Sequence, residues 1–158
     1  MVGERFEILL NDLGKILKIG LKPDSNNACL LRFNDGLEIH MEPGERNQLL
    51  HIVSNLGEVP QGKYRENLFR EALKANGLPP PKNGIFAYGK KTEALLLTLI
   101  IPLDTLTGQK LADLLNAFIP KAKLWREAVT SGRVPSYNEN ELSFQQGSSQ
   151  GGLFGLVS

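Results

Sequence analysis

The sequence predicts an α+β sandwich in the order α-β-β-β-α-β-β-α, a mainly antiparallel five-stranded sheet with helices packed on one face. Apolar residues recur at helical spacing in three separate segments. An Asp-Gly turn joins two runs with strand character, and a second pair of short apolar runs flanks a Gly-Lys-Lys turn.

The first helix is written in Phe6, Leu9, Leu10, Leu13, Ile16 and Leu17, one apolar stripe with Glu7, Asp12, Lys15 and Lys18 outside it. Gly20 is expected to stop it, and Pro23-Asp24 to prevent its resumption. Ala28 to Phe33 and Leu37 to Glu42 then flank Asn34-Asp35-Gly36. In the second run Leu37, Ile39 and Met41 alternate with Glu38, His40 and Glu42, so one face is apolar and the other polar. After the Pro43-Gly44 turn, Leu49 to Val53 supplies a third strand.

Tyr64 to Asn76 reads as the second helix, with Tyr64, Leu68, Ala72 and Ala75 inward and Gly77 as its stop. Three prolines, 79 to 81, make a stiff connector. Ile85 to Tyr88 and Ala94 to Ile101 form the second hairpin, and the latter strand is apolar on both faces. Thr105 or Thr107 caps a last helix carrying Leu111, Leu114, Leu115, Phe118, Ala122, Trp125 and Val129. Pro120 inside it is expected to bend or split it.

Gly132 and Pro135 end the last helix, and beyond Val134 the composition turns to Ser, Gln, Asn and Gly. The chain therefore divides into a domain at 1–134 and a flexible tail at 135–158. The tail finishes in Leu153, Phe154, Leu156 and Val157, either a docking peptide or an idle end. Idleness is the default for segments not tied into a core.

Hydrophobic residues make up 41% of the chain, enough for a packed interior. Eighteen basic residues face seventeen acidic ones, which gives no electrostatic footprint for nucleic acid and none for a membrane surface. The tail holds Glu139 and Glu141 and no base, so the domain carries eighteen basic and fifteen acidic residues. One cysteine, Cys29, excludes a disulfide framework and a multi-cysteine metal site. No secretory signal is visible, and the longest apolar run, Ala94 to Leu103, is far too short to span a bilayer, so a cytoplasmic location is expected.

Catalytic chemistry finds no constellation. His40 and His51 lie on neighbouring predicted strands and read as surface histidines; Cys29, flanked by Ala28, Leu30 and Leu31, reads as a buried, inert thiol. Glycines 151, 152 and 155 follow no strand and open no helix, so they make no phosphate loop. The reading is of a non-enzyme with no cofactor and no metal. A sheet with a strand this apolar, and helices too few for both faces, is expected to bury the surplus by self-association through the Tyr64 to Leu99 region.

Asn26 to Phe33 after a leucine-rich helix, Phe69 to Gly77, Gly84 to Gly89, Leu95 to Leu103, and Leu111 to Phe118 with Ala122 and Trp125 together resemble the class I type III secretion chaperone family, the CesT/SycE-like, Tir chaperone group, over about residues 5 to 130. The resemblance implies a homodimer formed mainly through the middle helix and the following strand. At that interface Tyr64, Leu68, Phe69, Ala72, Leu73, Ile85, Ala87 and Leu97 are expected.

It also implies an ATP-independent chaperone for the amino-terminal segment of one or more secreted effectors, bound in extended form and kept soluble and competent for secretion. Such a partner adds a strand to a sheet edge and fills apolar grooves. The grooves are expected between the first helix and first three strands, lined by Leu13, Leu17, Leu30, Phe33, Leu37, Ile39, Leu50 and Ile52, with Arg32 fixing register. Single-effector members are usually acidic, so the near-neutral charge fits several cargoes or a heterodimer. The alternative is a non-catalytic adaptor docking a folded secretion component or regulator.

Overall fold

Alternation in the first hairpin becomes register in the structure, a computed structural model that describes residues 2–135 apart from 47. β1 (Cys29–Arg32) pairs antiparallel with β2 (Glu38–Pro43), placing Cys29 opposite Met41 and Leu31 opposite Ile39. Gly36 turns the chain at φ 90°, a conformation that favours glycine, while the Asp35 carboxylate accepts from the Leu37 amide at 3.1 Å. The Arg126 guanidinium donates to the Asp35 carbonyl at 2.8 Å and holds this turn against the last helix.

β2 pairs with β3 (Leu49–Glu58), β3 with β5 (Ala94–Pro102), and β5 with β4 (Ile85–Gly89), all antiparallel, giving the order β1-β2-β3-β5-β4. Five antiparallel strands and three helices match the expected sandwich. β3 runs five residues beyond the expected Val53, because a bulge at Asn55/Gly57 absorbs the break in alternation. Gly57 adopts φ 124° and donates its amide to the Asn55 side chain at 2.9 Å.

α1 (Val2–Leu17) buries Phe6, Leu9, Leu10 and Leu13. It ends before Gly20: Lys18 takes the left-handed position at φ 60°, and the Ile19 amide closes back on the Gly14 carbonyl at 3.0 Å. That 6→1 bond satisfies the last turn, so Gly20 is not the cap. Ile16, expected inward, is 41% exposed. α2 is Lys63–Asn76.

α3 (Gly108–Ser131) is capped by Thr107, whose hydroxyl accepts from the Lys110 amide at 3.2 Å. It is a single helix through Pro120, so the proline does not split it. The carbonyl that loses its donor belongs to Asn116, an exposed residue, while Phe118, Ile119, Ala122 and Trp125 around the proline are buried and hold the helix to the sheet.

α1 and α3 pack on one sheet face, and the core between them joins Leu31, Leu37, Ile39, Met41, Leu50, Ile52 and Leu97 to Phe6, Leu10, Leu111, Leu115 and Phe118. Ser54, fully buried among them, donates its hydroxyl to the Glu38 carbonyl at 2.8 Å. The tail beyond Pro135 lies outside the described residues.

Candidate functional site

A sheet of this order has two edges, β1 and β4, and they differ chemically. On β4 the outward backbone groups of Phe86 are engaged. The Asn76 side chain at the end of α2 accepts from the Phe86 amide at 2.8 Å and donates to its carbonyl at 3.0 Å. One amide side chain thus does what an added strand would do, and the edge is blocked there.

On β1 the hairpin closes with the Phe33 amide donating to Leu37 O at 2.9 Å. Antiparallel ladders alternate, so Leu31 and Cys29 turn their backbone groups inward to β2, and Leu30 and Arg32 turn theirs outward. Among the described residues no strand pairs with that side. The side chains of these residues stand on the sheet face away from the helices: Leu30 is 40% exposed, and Arg32 pairs with Glu38 at 3.3 Å in solvent.

The expected groove residues therefore separate. Leu13, Leu37, Ile39, Leu50 and Ile52 have no exposed surface and Phe33 only 3%; all six are core side chains and form no open groove in the single subunit. Leu17 is half-buried against the core, and Leu30 and Arg32 are accessible. Ile8, 57% exposed on α1, was not anticipated, because it falls outside the helix's apolar stripe.

The expected dimer residues divide in the same way. Leu68, Ala72 and Leu97 are buried in the core, and the Tyr64 hydroxyl donates to the carbonyls of Ala128 and Arg133, tying α2 to α3. Burial raises the Tyr64 pKa. Phe69, Leu73, Ile85 and Ala87 remain towards the outside. Between α2 and β4 lies a cleft of about 110 Å³ lined by Phe69, Ala72, Leu73, Phe86, Ala87 and Tyr88. Arg65 lies over the Tyr88 ring at 4.5 Å and the Phe69 ring at 5.4 Å, fixing both at the mouth of the cleft. Leu73 is 71% exposed on its outer wall.

The sheet also parts the groups that could have made a thiol–imidazole pair. Cys29 is buried on the helix side, and burial, with a smaller contribution from the Asp24 carboxylate, pushes its thiol up to about 11. His40 lies on the other face, 3.2 Å from Glu42, and His51 stands opposite Glu42 on β3. Among the described residues no group of three His, Cys, Asp or Glu is placed to hold a metal ion, and no helix is long and apolar enough to cross a membrane. Lys121, buried in α3, donates to the Gly84 carbonyl at 3.2 Å and lies 5.1 Å from the Phe86 ring, a structural tie to the β4 hairpin.

Residues 8–126 match the model of the Tir chaperone protein (CesT) family. The chain belongs to that family. No individual curated protein matches it in sequence. Among solved structures it is similar to a chain of the HopA1–SchA chaperone–effector complex, at 17% identity and TM-score 0.60 over 80% of this chain and 96% of that one. It is also similar to a chain of the complex between the Yersinia pestis type III secretion chaperone SycH and a stable fragment of YscM2 (17% identity, TM-score 0.58, covering 76% and 98%). A chain of the heterodimeric ExoU–SpcU complex from the type III secretion system of Pseudomonas aeruginosa matches at 19% identity and TM-score 0.60, covering 78% and 98%. At these identities the likeness is one of fold.

Proposed function

We propose that this chain, a type III secretion effector chaperone by family, holds the amino-terminal segment of a secreted effector in extended form, without ATP and without catalysing a reaction, in the bacterial cytoplasm. The observation that carries the reading is the asymmetry of the two edges. Asn76 blocks β4, whereas β1 offers the outward amides and carbonyls of Leu30 and Arg32 to an incoming strand. A client strand laid there gains main-chain hydrogen bonds, its alternate side chains meeting Leu30 on one face and the α1 side of the sheet on the other. The solved complexes similar in fold, one a chaperone–effector complex and one a type III secretion chaperone held with a fragment of YscM2, support the same kind of partner.

The α2–β4 cleft supports a homodimer as the working form. Phe69, Leu73, Ile85 and Ala87 gather apolar surface beside the blocked edge, where a second copy covers it without competing for β1.

Leu30→Pro tests the edge. Proline removes the outward N–H and is tolerated on an edge strand. The variant, with an unchanged circular dichroism spectrum, should lose the co-purifying, protease-sensitive effector segment that the parent retains. Undiminished retention would rule out strand addition at β1.

A further inference from the structure

The β1 edge is closed at both ends. On the amino-terminal side of Leu30 the next residue with outward backbone groups is Ala28, and both of its groups are taken. The Asp24 carboxylate accepts from the Ala28 amide at 3.0 Å, and the Asp24 amide donates to the Ala28 carbonyl at 2.7 Å. Asp24 thus stops this end of the edge as Asn76 stops β4 at Phe86. On the other side the chain turns away, the Gly36 amide donating back to the Phe33 carbonyl at 3.0 Å. Between these closures only Leu30 and Arg32 offer backbone groups to a partner.

A window this short decides which client residues face which side chains. Every strand pair in the sheet is antiparallel. An antiparallel client sets one residue directly opposite Leu30 and another, two positions earlier in its own sequence, directly opposite Arg32. Both then stand on the sheet face away from the helices, where Leu30 is 40% exposed and offers apolar surface. The client residue between them turns to the helix side, beside Leu31 and flanked by Cys29 and Phe33, all three buried and apolar.

Charge selects the register. Arg32 meets Glu38 of β2 through Nε at 3.3 Å, with both side chains in solvent. A guanidinium has more N–H donors than one carboxylate uses, so a second carboxylate can share it. A client side chain opposite Arg32 lies one strand from it, about 4.8 Å, and about twice as far from Glu38. Coulomb energy falls with distance, so attraction to the arginine exceeds repulsion from the glutamate.

We propose that the β1 edge selects client segments in which an acidic residue is followed by two apolar ones, the acid opposite Arg32 and the second apolar residue opposite Leu30. Arg32 is then the residue that sets specificity. This rests on the strand addition proposed above and adds the client's register and charge to it.

The test selects binders to the full chain from random peptides displayed on phage, with the Leu30→Pro and Arg32→Glu chains run in parallel and circular dichroism confirming their fold. Peptides that bind the parent and not Leu30→Pro report the edge. These should be enriched in Asp or Glu two positions before an apolar residue, and the Arg32→Glu chain should enrich Lys or Arg there instead. Arg32→Gln, which removes the charge without reversing it, should abolish the preference. An exposed cross-strand charge pair changes affinity about 1.5- to 5-fold, and like charges oppose binding by a similar factor. Replacing the acid of a selected peptide with Lys should therefore weaken binding to the parent roughly 2- to 30-fold and strengthen binding to Arg32→Glu. Edge-binding peptides with no charge preference, or with the same preference on Arg32→Glu, overturn the proposal and leave strand addition standing. Peptides that bind Leu30→Pro as well as the parent, or a selection that yields no binder, overturn strand addition and this specificity with it.

Discussion

Leu73→Arg tests the proposed dimer with least disturbance to the subunit. Leu73 is 71% exposed in the single chain, so replacing it removes little core packing and should change subunit stability by no more than about 0.5 kcal/mol. Burying a whole leucine side chain stabilises by about 1.5–3 kcal/mol, so covering the exposed part of Leu73 contributes roughly 1–2 kcal/mol per copy. A twofold interface uses the residue twice, and the combined loss is about 2–4 kcal/mol. That raises the dimer dissociation constant roughly 30- to 700-fold, before the cost of setting two guanidinium groups against the same cleft. Sedimentation equilibrium over a wide concentration range reads the change directly, with circular dichroism as the control for folding. An unchanged dissociation constant in a folded variant would remove the α2–β4 cleft from the interface and refute the reasoning.

Three further outcomes follow from the same geometry. Phe33→Asp and Ile52→Asp, groove changes on the sequence reading, place a carboxylate in the core and should each cost more than about 4 kcal/mol, seen as loss of the folded circular dichroism signal. Folded variants would show that these side chains reach a surface. Asn76→Ala removes both side-chain bonds to Phe86 and should lower stability by about 1–3 kcal/mol, while freeing the β4 edge so that heated samples scatter light at lower temperature. An unaltered melting curve without added scattering would mean that Asn76 does not guard the edge. Cys29, its thiol pushed from 9.0 up to about 11, should resist disulfide reagents near pH 8 when folded and react in denaturant. Because the folded state keeps its proton longer than the unfolded one, the thiol should make stability fall as pH rises from about 9 to about 11, and a Cys29→Ala chain should show a shallower slope, the partly buried Tyr64 hydroxyl supplying the rest.

Much of the fold is legible because its strongest local signals agree with one another. The Asp35-Gly36 turn and the alternation of Leu37, Ile39 and Met41 fix the first hairpin and its buried face. The stripes of α1 and α3 then supply the cover. The misreadings are local. Lys18 rather than Gly20 takes the left-handed position, a bulge carries β3 past Asn55, and packing around Phe118 and Trp125 keeps α3 from splitting at Pro120.

The site was harder to read for a physical reason. From Ala28 to Phe33 the chain is apolar at almost every position, so composition does not say which side chains face the helices. Register decides it: Leu31 lies opposite the buried Ile39, and Leu30 and Arg32 must then face away. Leucines and isoleucines that look like groove linings are for the same reason core residues. Asn76 escapes sequence reading altogether, since an asparagine before a terminal glycine reads as a helix stop and nothing marks its contact with a strand ten residues on.

Backbone hydrogen exchange of the chain, alone and with its co-purified effector segment, tests strand addition most directly. The account predicts slowed exchange of the Leu30 and Arg32 amides on binding, with little change at Phe86, whose amide Asn76 already holds. Slowing at Phe86 and its neighbours, with Leu30 and Arg32 exchanging as in the free chain, would contradict it.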